Sequence, residues 1–284
     1  MKVAELKEKI EKLASEMISR DKTDLLNYLK FMKNFRGYSF YNSFMIFRCR
    51  PNATEVAGFK KWQDLGRYVK KGEKGIPILF PIFETKEEFE ARTKQMQDKG
   101  IDNFLDSPAI KNFGVGYVFD VTQTDGKPLH EDPCELKGKD VNGLLPVLED
   151  IAKDNNIKVD YEYLGGQVKG YSANGVIKVE RDSEEMEKVA TLIHELAHEF
   201  LHQRNLNKNE ISKEVREAEA ESVSYVVLSE YGIESKAPLY LYTYLKENQK
   251  VITETLNTIK STIDYLLSEI EKRRNSQVDE VITA

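Results

Sequence analysis

Twelve residues constrain this chain more than any others: Thr191-Leu192-Ile193-His194-Glu195-Leu196-Ala197-His198-Glu199-Phe200-Leu201-His202. They carry an H-E-x-x-H pattern. Histidines four apart on an α-helix lie one turn apart on the same face, so a helix here aims both imidazoles at one point. Zinc accepts neutral imidazole nitrogen, and at catalytic centres it takes three protein ligands with one position left for water. Glu195, next to the first histidine, reads as the general base that works on that water. The chain has 4 histidines, and only His130 lies outside this segment. Such clustering points to a shared metal rather than to rings satisfied one by one. Met186, Val189, Ala190, Ile193, Leu196, Ala197, Phe200 and Leu201 recur at helical spacing, so the helix is expected to be largely buried. Buried imidazoles require partners, and a metal is one.

Downstream, Glu214 to Leu228 begins acidic and turns apolar, as a helix does when it runs from surface into core. Glu217 and Glu221 are four apart and share a face, and the small Ala220 and Ser222 permit close packing on the histidine helix. Glu217 is assigned as the third ligand, and Glu221 as a partner that orients a histidine. His202 is the rival ligand. It sits two turns beyond His194 with no glycine between to turn the chain back. Tyr171 and Tyr225 are candidates to donate to an oxyanion, although each reads first as a core tyrosine.

The 284 residues suffice for two domains or one large one. With 40% hydrophobic and 32% charged residues, the composition is that of a soluble globular protein. The net charge of −6 argues against a general nucleic-acid binder, but its distribution is uneven. From Lys33 to Lys74 ten basic residues face three acidic ones. Cys49 and Cys134 have no Cys-x-x-Cys spacing and suggest a reducing compartment. The charged N-terminus lacks an apolar signal core, and the longest apolar run, around Ile76–Phe83, is far too short to span a bilayer. The expectation is a cytoplasmic protein.

Read in order, residues 3–20 and 21–35 form two amphipathic helices. An aromatic cluster follows, in which Tyr38, Phe40, Tyr41, Phe44 and Phe47 interleave with Asn42, Arg48 and Arg50. Rings beside cations suit a single strand, with bases stacked on rings and cations along the backbone, although Phe44 and Phe47 read as core. Gly58–Gly66 is a short helix with the only tryptophan, Trp62. A basic loop then leads into a strand at 76–83, whose prolines mark it as an edge. A charged helical excursion over 84–112 separates this strand from a second at 113–122. Residues 130–140 read as a linker. Beyond it come a helix near 143–155, strands at 157–163 and 176–180, the histidine helix, and two helices running from Pro238 to about Arg274. The strand at 176–180 is expected to lend its edge to an extended peptide.

Taken together, Tyr38-Ser39-Phe40-Tyr41-Asn42, Ala57-Gly58-Phe59-Lys60-Lys61-Trp62, Gly66, Lys70-Lys71-Gly72-Glu73-Lys74-Gly75 and Phe119-Asp120-Val121-Thr122-Gln123-Thr124 resemble the N-terminal domain of ArdC-type antirestriction proteins. His194-Glu195-Leu196-Ala197-His198 with Glu217-Ala218-Glu219-Ala220-Glu221-Ser222 resembles both that family and the ImmA/IrrE-like peptidases. The resemblance covers roughly residues 1–270. It implies an α+β protein of a mobile element. Its N-terminal domain (1–130) binds single-stranded DNA and its C-terminal domain (141–274) is a zincin-like metallopeptidase with Zn²⁺; beyond the resemblance, residues 275–284 read as a disordered tail. It also implies DNA contacts by Tyr38, Asn42, Lys60, Lys61, Trp62, Lys70, Lys71 and Lys74. The competing expectations are a non-proteolytic DNA-protecting or restriction-enzyme-occluding protein with a structural zinc, and a repressor-cleaving regulator.

Overall fold

The structure, a computed structural model, describes residues 2–99, 107–129, 142–165, 167–173, 175–203 and 211–283, with side chains to residue 276. The expected linker at 130–140 and Cys134 lie outside the described residues. Along the chain run α1 (Val3–Arg20), α2 (Lys22–Met32), α3 (Phe40–Cys49), β1 (Val56–Gly58), α4 (Phe59–Asp64), β2 (Arg67–Val69), β3 (Ile76–Phe83) and α5 (Lys86–Asp98). Then come β4 (Ile110–Asp120), β5 (Thr124–Gly126), α6 (Leu144–Asp154), β6 (Lys158–Glu162), β7 (Gly170–Ala173), β8 (Val176–Glu180), α7 (Glu185–His198), α8 (Lys213–Glu230), α9 (Leu239–Glu247) and α10 (Ile252–Thr283). Two compact units result, one of Met1–Ile10 with Phe44–Lys127 and one of Glu11–Ser43 with Pro128–Ala284.

The first unit holds an antiparallel sheet in the order β1-β4-β3 and a two-stranded ribbon, β2 with β5. β3 is an edge strand, which tolerates Pro77 and Pro81 because no ladder is needed on its outer side. Trp62, Ile76, Leu79, Val118, Phe44 and Phe47 are buried in this unit. A charged start favours α5: Thr85 accepts from the Glu88 N–H while the Glu88 carboxylate accepts from the Thr85 N–H.

In the second unit the sheet order is β6-β8-β7, with β6 parallel and β7 antiparallel to the central β8. The expected substrate-binding edge at 176–180 is therefore the middle strand, hydrogen-bonded on both sides. The edges belong to β6 and β7, and the glycine-flanked stretch of β7 carries too weak an alternation to be recognised from sequence. α6 buries Leu144, Val147, Leu148, Ile151 and Ala152, one stripe at helical spacing. α10 buries Leu256, Ile259, Ile263, Leu266 and Ile270 in the same way, and each such side chain contributes roughly 1.5–3 kcal/mol. α10 also runs to Thr283 through the segment expected to be disordered, since no glycine or proline interrupts Ile252–Thr283.

A single boundary near residue 130 does not describe these units, because residues 11–43 pack with the C-terminal segment. The polar ties that hold them there span large separations. Buried Lys260 donates to the Phe35 carbonyl at 3.0 Å and to Asp264 at 2.7 Å. Lys33 pairs with Glu230 at 3.1 Å, and Arg36 pairs with Glu230 at 3.2 Å and Glu271 at 2.7 Å. A buried ammonium without such partners is costly, so these contacts specify the docking of the segment.

Candidate functional site

α7 buries Val189, Leu192, Ile193, Leu196 and Ala197, which leaves His194 and His198 on the remaining face. α8 packs beside it, and its Ala218, Ala220 and Ser222 are small and buried. The approach brings Glu217 onto the two rings. His198 Nε2 lies 3.1 Å from His194 Nε2 and 3.3 Å from Glu217 Oε2, and His194 Nε2 lies 3.4 Å from the same oxygen. Three donors at the corners of a tetrahedron around an ion at ~2.05 Å stand about 3.3 Å apart. The triangle has that edge, and its donor set of two imidazoles and one carboxylate suits a divalent transition metal. Burial, with the neighbouring His194 ring, lowers His198 to about 4, so this ring is in the neutral form that ligates.

A cleft of about 780 Å³ lies over these residues, and Glu195 lines it. Burial pushes the Glu195 carboxyl up to about 7, with the Glu217 and Glu199 carboxylates adding to the rise. A base that titrates near neutrality is matched to proton transfer. One cleft wall is β7. A Cβ at Gly170 would stand 2.4 Å from Thr191 Cγ2, 2.9 Å from the Lys178 carbonyl and 3.6 Å from Glu195 Cγ. Only glycine lets β7 lie this close over α7. Next along β7, Ser172 donates a short hydrogen bond to buried Glu199.

His202 stands apart from the triangle. α7 passes into a π-helical turn, Glu199–Gln203, and the buried His202 ring meets the Arg216 carbonyl at 3.2 Å and Glu219 at 3.6 Å. Glu221 is exposed on the cleft lining and hydrogen-bonds neither His194 nor His198, so the orienting role expected of it has no contact behind it. Tyr171, which sequence reads first as core, is exposed and lines the cleft, while Tyr225 lies under the Lys30 ammonium at 5.3 Å. Gly170, Ser172, Glu199 and Arg216 were not singled out by sequence, which carries no sign of an edge strand laid over a helix.

Of the expected DNA-binding residues, Lys60, Lys61, Lys70, Lys71 and Lys74 belong to the first unit and are exposed. Lys70 caps the Thr122 carbonyl at 3.0 Å. The other four make no ion pair among the described residues. Tyr38 and Asn42 belong to the second unit, and half-buried Tyr38 packs edge-on against Phe35 at 5.9 Å. Trp62 is 1% exposed and donates its indole N–H to the Phe119 carbonyl at 2.8 Å. It is a core side chain with its polar atom satisfied, and no base can stack on it. The exposed rings beside the lysines are Phe59 and Tyr68, at 51% and 57%.

Residues 3–115 match the family described as the N-terminal domain of anti-restriction factor ArdC. An uncharacterized protein from Bacillus anthracis is 27% identical over 300 residues, covering 88% of this chain and 49% of the relative. The chain thus spans about half the length of that curated relative. The fold is similar to crystal structures of antirestriction protein ArdC from plasmid R388. The metal-free form has a TM-score of 0.50 at 16% identity, covering 83% of this chain and 86% of that one. The Mn(II)-bound form has a TM-score of 0.50 at 18% identity, covering 84% and 87%. Among the described residues no helix is long and apolar enough to cross a membrane.

Proposed function

The chain carries an ArdC-type N-terminal domain on an ArdC-like fold, and we propose that it is an antirestriction-type protein of a mobile element that binds single-stranded DNA and hydrolyses peptide bonds. The observation that carries the hydrolytic half is the donor triangle of His194, His198 and Glu217 with Glu195 buried in the same cleft. These three residues would hold a divalent ion, with zinc the best match to two imidazoles and a carboxylate; the Mn(II)-bound ArdC is in keeping with a divalent site. When bound, such an ion supplies Lewis-acid polarisation and acidifies water. Glu195 takes the proton of the attacking water on its carboxylate and returns it to the departing amine. The free edge of β7 pairs with the backbone of an extended peptide and sets it along the cleft. This half of the fold is then zincin-like.

The DNA-binding half rests on Lys60, Lys61, Lys71 and Lys74, exposed and in no ion pair among the described residues, with Phe59 and Tyr68 available as stacking surfaces. The decisive variant for the enzyme is Glu195→Gln. It keeps the metal and is expected to lower peptide hydrolysis by roughly 10²–10⁴-fold. Undiminished hydrolysis would remove Glu195 from the mechanism. If the variant lost hydrolysis yet retained full protection against restriction, while Lys71→Ala with Lys74→Ala lost that protection, the non-proteolytic reading would replace this one.

A further inference from the structure

Three of the four cations that line the α7–α8 cleft are held unlike those in the body of the same unit, the fourth, Lys169, being paired with Glu187 at 2.9 Å. Lys33, Arg36, Lys260 and Arg273 each hold a carboxylate. Lys213, Arg216 and Lys236 line the cleft and form no ion pair among the described residues. Lys213 and Arg216 stand in the first turns of α8, ahead of Glu217, where the helix dipole disfavours positive charge. Arg216 is half-buried there and forms no ion pair among the described residues. Lys236 follows the other end of α8. Between them the cleft is lined by carboxylates, Glu195, Glu217 and Glu221.

We propose that this cleft selects extended peptides whose acidic side chains flank an uncharged segment lying over His194, His198 and Glu217. The proposal rests on the peptidase reading of the cleft and names its substrate class. The carboxylate ends meet Lys213 and Arg216 at one side and Lys236 at the other, while the neutral middle avoids the central carboxylates. The edge of β7 supplies N–H and C=O groups for the backbone. A nucleic acid fits less well, because a phosphate at every step would meet Glu195, Glu217 and Glu221 without relief.

Fluorescence anisotropy on the full chain in EDTA tests this without turnover and without carboxylate–metal contacts. Three labelled peptides share one neutral centre and carry Asp/Glu, Gln or Lys at both ends. The acidic peptide is expected to bind about tenfold more tightly than the neutral one, with the basic one weakest. Lys213→Glu with Arg216→Glu is expected to invert that order, and Lys236→Glu, exposed beyond the helix, to flatten it. Equal affinities overturn the proposal. So does an order unchanged in both variants, or an oligonucleotide that displaces the acidic peptide from wild type and no longer binds once Arg216 is reversed. Hydrolysis of the same peptides by the metal-loaded chain separates the two readings. Ranked binding without cleavage ends the peptidase reading and keeps the selectivity, and cleavage without ranking does the reverse.

Discussion

The histidine cleft and the basic segment differ in how their functional side chains are held. Around the cleft His194, His198 and Glu217 sit within 3.4 Å of one another, and Glu195 beside them is 7% exposed. Along residues 59–74 the lysines are exposed, and apart from Lys70, which donates to the Thr122 carbonyl, they form no ion pair or side-chain hydrogen bond among the described residues. The first arrangement depends on the packing of two helices and fails as a unit. The second is a sum of separate charges, each of which can be lost with a proportionate effect. Residue type alone does not distinguish these situations, and Trp62 illustrates the danger: it lies among lysines in sequence and inside the core in space.

Three measurements press on that contrast, beginning with the largest effect. His194→Ala is expected to abolish stoichiometric metal, a weakening beyond the ~100-fold typical of losing an outer partner. Glu221→Gln should leave metal content as it is, and metal analysis of the two purified variants reads both. Loss of metal in Glu221→Gln would restore the orienting role that the structure does not support. Next, Trp62→Ala should cost roughly 3–5 kcal/mol of stability, whereas Lys71→Ala stays within about 0.5 kcal/mol. Denaturant titration checks the pair, and a stable Trp62→Ala chain with weakened DNA binding would return the indole to the interface. The smallest effect is in salt dependence. Each of Lys60, Lys61, Lys71 and Lys74 that meets a phosphate should, when replaced by alanine, reduce the slope of log affinity against log salt by about 0.7. Slopes that do not move would take the lysines off the backbone path.

The sequence made the cleft legible because its chemistry is short-range. His194 and His198 are one turn apart whatever else the chain does, and Glu217 follows from a second helix that carries small buried residues beside it. The regular helices were legible for the same reason, as in the α6 stripe from Leu144 to Ala152. What sequence missed depends on long-range pairing. β1, β2 and β5 are three residues each, too short to show a period, and exist because partners far along the chain complete them. The order β6-β8-β7, which puts β8 in the middle and β6 and β7 at the edges, is likewise a property of pairing rather than of any one strand. The attachment of residues 11–43 to the C-terminal segment rests on contacts such as Lys260 to Phe35, which no local pattern announces.

Gly170 ties two functions to one missing methyl group. The Cβ that would strike Thr191 Cγ2 at 2.4 Å would also stand against Glu195 Cγ at 3.6 Å, so on the proposed reading the seat of a peptide backbone and the base share one spacing. On that reading a small shift of β7 would alter substrate alignment and proton transfer together rather than one at a time. The wall of the cleft acts as a gauge block, fixing a tolerance that neither the strand nor the helix could hold alone.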